Sequence, residues 1–123
     1  MSAADIRLTI KRGILSQNHF NNKRGMGAKF AYSADRDDWM VWLRTGLTPK
    51  ARVQQHTRIR IESYRARLLD DANLRGGAKP IPDCLIRLGY LWDDHPKWMH
   101  ADYFQLAVKP EHRRTVVIIF AHP

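Results

Sequence analysis

The chain has 123 residues, with 21 Lys and Arg against 12 Asp and Glu, and a formal net charge of +9. That length suits one domain, expected over residues 1–123, with a core that needs no staples, and the single cysteine, Cys84, excludes an internal disulfide and a cysteine-based zinc site. No apolar run approaches the ~18 residues of a membrane helix and the N-terminus lacks a signal peptide's apolar stretch, so a cytoplasmic protein without a membrane partner is expected.

The excess of positive charge points to a polyanion as partner. Nucleic acid comes before an acidic membrane surface, because the basic residues are spread along the chain rather than gathered on one helix.

Ile6, Leu8 and Ile10 alternate with Arg7, Thr9 and Lys11, which predicts an opening strand. Gly13 to Ala28 is polar and Gly-rich, with Lys23 and Arg24 at its centre, and is expected to be a long loop. Ser33 is placed to cap a helix running to about Arg44, with Asp35 and Asp37 in its first turn and Gly46 at its end. Thr48 to Gln55 is a basic connection. From Thr57 to Tyr64, Ile59 and Ile61 face one way and Arg58, Arg60 and Glu62 the other, as in a half-buried strand. Arg65 to Gly77 reads as a loop. Pro80 opens a second helix whose Ile81, Leu85 and Leu88 share a face, and Gly89 ends it. Asp83 lies in its first turn, four residues before Arg87, a pairing that helix electrostatics explain. Asp93 to Trp98 is a turn. Tyr103 to Val108 and the apolar run Thr115 to Phe120 read as strands joined by a hairpin loop over Lys109 to Arg114. The order β-α-β-α-β-β implies an α/β (α+β) fold, a mixed sheet with two main helices packed on it.

Of the 12 acidic residues, Asp70, Asp71, Asp83, Asp93 and Asp94 fall in one short stretch of a strongly basic chain. Asp70 and Asp71 follow a strand and its basic exit; Asp93 and Asp94 follow a helix. Side chains at element ends can converge. Magnesium takes hard oxygen ligands and commonly uses one or two protein carboxylates, and such an ion can activate water against a phosphodiester. Lys79 could instead supply the cation, or meet charge developing on phosphate. The acid pairs also suit ordinary solvated turns. His95 adjoins Asp94 but suits a turn residue as well. Trp92 and Trp98 flank the second pair and suit packing better than base stacking, and Cys84 suits buried packing.

The segments Asp70-Asp71-Ala72-Asn73-Leu74, Gly76-Gly77-Ala78-Lys79-Pro80, Asp83-Cys84-Leu85 and Gly89-Tyr90-Leu91-Trp92-Asp93-Asp94-His95-Pro96-Lys97-Trp98 resemble the RusA-type Holliday junction resolvases. The resemblance is strongest over residues 65–99. It implies a homodimeric, magnesium-dependent endodeoxyribonuclease with a RusA-like mixed sheet, acting on four-way DNA junctions in recombination and repair in a bacterial host or its phage. By position, Asp70 matches the first metal-binding Asp, Asp94 the Asp of the second motif, and Lys79 the catalytic lysine. The implied metal set is Asp70, Asp71, Asp94 and Asp93. Arg58, Arg60, Arg65, Arg67, Arg75, Lys97, Lys23 and Arg24 are the expected phosphate contacts. One departure stands out: Ala72 occupies the place of the family's last Asp before Asn-Leu. It motivates a second reading, a junction-binding relative with weakened or absent cleavage.

Overall fold

The apolar run near the C-terminus lies at the middle of the sheet. In the computed structural model, which describes residues 4–21 and 26–122, four strands pair in the order β1-β4-β2-β3. They are β1 (Ile6–Ile10), β2 (Thr57–Arg65), β3 (Met99–Ala107) and β4 (Arg114–Ile119). β4 runs antiparallel to both β1 and β2, and β3 runs parallel to β2. Flanked on both edges, β4 is buried from Thr115 to Ile119, as its unbroken β-branched composition requires. The expected hairpin between β3 and β4 does not form, because β2 is inserted between them. A 3-10 turn at Pro110–His112 and its flanks carry the chain across instead.

Four α-helices are described: α1 (Gln17–Asn21), α2 (Met26–Leu43), α3 (Asp71–Ala78) and α4 (Pro80–Leu88). Ile59 and Ile61 of β2 and Val117 and Ile119 of β4 join Trp39 and Leu43 of α2 and Ile81, Leu85 and Leu88 of α4 in one core. Side chains alternate along a strand, so Arg58, Arg60 and Glu62 occupy the opposite face of the sheet.

Three expectations are corrected. Residues 13–28 are not a continuous loop. Ser16 Oγ accepts the Asn18 N–H at 3.1 Å at the start of α1, and α2 begins at Met26 rather than after Ser33. The buried Phe20 ring meets Tyr32 edge-on, with centroids 5.6 Å apart, and the Tyr32 hydroxyl donates to Asp83. These contacts hold the first turns of α2 in place. Asp35 consequently lies inside α2, buried and ion-paired with Arg12, rather than in a solvated first turn. Residues 65–77 are likewise not all loop, since α3 starts at Asp71. The end of α4 follows expectation: Gly89 takes φ +92°, and its N–H bonds to the Ile86 carbonyl at 3.1 Å.

Candidate active site

α3 and α4 are almost one helix with a joint at Lys79. Pro80 has no N–H to continue the ladder, and the Lys79 N–H closes α3 on the Gly76 carbonyl at 3.4 Å. The exposed Lys79 side chain is thereby held at the joint, over a cavity of about 290 Å³ lined by Arg75, Gly76, Lys79, Pro82, Asp94, Met99 and Tyr103. Helices α3 and α4, the turn after Leu91 and the edge strand β3 all contribute. Met99 and Tyr103 lie on the helix-covered face of the sheet, beside Thr57 and Ile61 of β2.

The charges in and around this cavity are mixed. Arg75 Nε donates to Asp71 Oδ2 at 2.8 Å, one turn back along α3, and its guanidinium lies 4.7 Å from the centre of the Tyr103 ring. Desolvation pushes the Asp94 carboxyl above its ordinary value; the charges of Asp93 and Asp83 add to this, and Lys79 opposes it. Burial raises the Tyr103 phenol too, with Arg75 opposing and Asp94 and Asp71 reinforcing. Asp71 and Asp94, far apart in sequence, therefore both act on one side chain.

Asp70 lies outside the cavity lining and caps α3. Its Oδ1 accepts the Asn73 N–H at 2.9 Å and its Oδ2 accepts Asn73 Nδ2 at 2.6 Å. These bonds, led by the backbone one, hold its carboxyl below the ordinary value. Asp93 Oδ1 accepts the Asp94 N–H at 2.7 Å within their turn. Asp83 makes no ion pair with Arg87 among the described residues; it accepts from Tyr32 and acts on Asp94 through space.

The expected gathering of Asp70, Asp71, Asp94 and Asp93 into one ligand set is thus not the arrangement found. Among the described residues, no three His, Cys, Asp or Glu side chains are grouped to hold a metal ion. Local bonding is the reason: Asp70 turns to its cap, Asp71 to Arg75 and Asp93 to its own turn. The donor chemistry still fits magnesium, which needs hard oxygens and takes one or two carboxylates beside water and phosphate. Asp94 offers such a carboxylate inside the cavity; desolvation is the main cause of its raised pKa, and a cation would relieve the smaller part that comes from Asp93 and Asp83.

The expected phosphate contacts divide by location. Arg75 belongs to the cavity. Arg58 and Arg60 lie on the other face of the sheet, where Arg58 pairs with Asp102 at 3.0 Å and Arg60 with Glu62 at 2.8 Å. Strand alternation points them away from Lys79 and Asp94. Arg65 and Arg67 lie at the exit of β2 and line a different cavity. Lys97 lies over the Trp98 ring at 5.1 Å in the turn that follows Asp94. Trp98 in turn packs edge-on against Trp92, with centroids 6.4 Å apart. Lys23 and Arg24 fall outside the described residues. Tyr103 escapes a reading of the sequence because nothing in its strand pattern separates it from a core residue. No family model matches the chain, and no curated protein matches it.

Proposed function

We propose that the protein is a magnesium-dependent endonuclease for branched DNA, acting on four-way junctions as a homodimer. The observation that carries this reading is the cavity in which Asp94 stands with Lys79 and Arg75, within a chain of net charge +9. Such a site pairs a carboxylate suited to a hard cation with cations suited to phosphate. The motif resemblance supplies the branched substrate and the dimer, whose two-fold axis would match that of the junction.

In this reading Asp94 is the main magnesium ligand, and Asp93 and Asp71 are the further carboxylates that would add oxygens. Each Asp70 oxygen accepts one bond from Asn73 and keeps a lone pair, so Asp70 can serve as both cap and ligand. Bound magnesium would polarise the scissile phosphate and lower the pKa of a water. Lys79 meets the charge that develops on phosphate, and Arg75, steered by Asp71 and Tyr103, holds a neighbouring phosphate oxygen. The decisive comparison is cutting of a synthetic four-way junction and of linear duplex with magnesium, then with EDTA. Selective cutting of the junction that EDTA abolishes and magnesium restores is expected. Equal cutting of both DNAs, or cutting that survives EDTA, would overturn the reading.

Ala72 favours a second reading, a junction-binding protein that does not cut. It lies exposed in the first turn of α3, one residue after Asp71. Under this reading Ala72→Asp raises cleavage strongly with junction affinity unchanged; efficient cutting by the wild type excludes it.

A further inference from the structure

A second cavity is larger than the one that holds Asp94. About 530 Å³ in volume, it lies where β1 and β2 leave the sheet, lined by the segment Gly13–Ser16 and by Arg12, Arg65, Arg67 and Arg113. None of its lining residues is acidic. Of the four arginines, only Arg12 is ion-paired among the described residues, with Asp35 and with Asp38 at 3.4 Å. Arg65 is fixed by neutral groups: its Nη1 donates to the Ile14 carbonyl at 2.8 Å and its Nε to the Arg67 carbonyl at 2.5 Å. That leaves its other amino group, Nη2, without a protein partner among the described residues. Burial, and then the charge of Arg113, bring the Arg65 guanidinium below its ordinary pKa. Two arginines repelling each other beside an acid-free concavity call for an anion. Arg113 closes the far wall, its Cδ placed 3.2 Å from where a side chain at Gly13 would begin.

We propose that this cavity is a phosphate-binding pocket that receives a phosphodiester of a DNA strand, held by Arg65 and Arg113 with Arg67 at the rim. The pocket is coupled to the Asp94 cavity through α3. Its wall residue Leu15 places a carbonyl against Gly77, and Gln17 packs on Gly76, which lines the other cavity. A strand held by both cavities would pass along α3. The proposal rests on the nucleic-acid reading above and extends it to Arg113.

The test has two arms. In the first, arginine Nε–Hε resonances are followed by NMR during titration with inorganic phosphate and with dimethyl phosphate, against chloride at matched ionic strength. Saturable shifts at Arg65 and Arg113 with both phosphates are expected; shifts no larger than those with chloride would overturn the pocket. In the second, junction affinity is measured against salt for the wild type, Arg113→Gln and the exposed control Arg44→Gln. Arg113→Gln should lower the slope of log affinity on log salt by about one, the contribution of one phosphate contact, and Arg44→Gln should leave it unchanged. An unchanged slope in Arg113→Gln, with shifts from inorganic phosphate alone, would mark a pocket for free phosphate and overturn the diester assignment. Diester shifts in a wild type that has no junction affinity would uphold the pocket and overturn the junction reading instead.

Discussion

Asp94 stands between opposing influences, Lys79 on one side and Asp93 and Asp83 on the other. Lys79 is placed there by a backbone accident of Pro80 rather than by a bond to its own side chain. If Lys79 meets charge only in the transition state, Lys79→Met should slow junction cleavage by about 10²–10³-fold, the usual cost of one such donor. Single-turnover cleavage at saturating enzyme reads this directly, and junction affinity should change little. Asp70 calls for a different pair of substitutions, since its Oδ1 caps α3 through the Asn73 N–H. Asn is as good a cap as Asp, and Ala is not. Asp70→Asn should therefore keep the thermal midpoint and lose cleavage, whereas Asp70→Ala should lower both. A fully active Asp70→Asn would reduce Asp70 to a cap.

At the scale of elements, α3 carries both the expectation that failed and its explanation. Gly76 and Gly77 argue against a helix by propensity, and the stretch reads as loop. Its start was nonetheless legible in Asp70, an N-cap residue with an amide at Asn73 to engage it. The glycines are explained only by what packs on them: a Cβ at Gly77 would come 1.6 Å from the Leu15 carbonyl oxygen. Gly77→Ala must push α3 off the Leu15 segment, and chemical denaturation should show a loss of about 1–3 kcal/mol. The α2 expectation failed for a related reason. Ser33, Asp35 and Asp37 look like a helix start, but long-range partners on Arg12, Phe20 and Asp83 extend the helix and bury Asp35. Alternating strands and the Pro80–Gly89 helix were legible because local pattern and burial agree there.

The opposite face of the sheet supplies a pH-dependent test. Burial pushes the Glu62 carboxyl up, but bonds from Arg60 and Tyr64 and the charges of Arg60 and Arg7 bring it below its ordinary value. A lowered folded-state pKa stabilises the fold above the unfolded carboxylate pKa, and that stability is lost as pH falls through the folded value. Glu62→Gln should thus cost about 1–3 kcal/mol at pH 7. The gap to wild type should close in acid. Urea titrations at neutral and acid pH measure this, and a gap that widens in acid would contradict it.

Over the whole molecule the sheet separates two chemistries. One face carries ion pairs that neutralise Arg58 and Arg60; the helix-covered side carries the Asp94 cavity and the acid-free arginine pocket, with α3 between them. Net charge alone made nucleic acid a reasonable partner, but gave no reason to separate Arg58 and Arg60 from Arg65 and Arg75. Strand register makes that distinction. No helix among the described residues is long and apolar enough to cross a membrane. The proposed function has Asp94 working beside Lys79 in cutting branched DNA. Its most direct measurement is magnesium-dependent nicking of a labelled four-way junction by wild type and Asp94→Asn, with junction affinity measured in parallel. Paired nicks in opposed strands by the wild type, lost in Asp94→Asn at unchanged affinity, are the predicted result; equal nicking by both proteins, or none by the wild type, would contradict it.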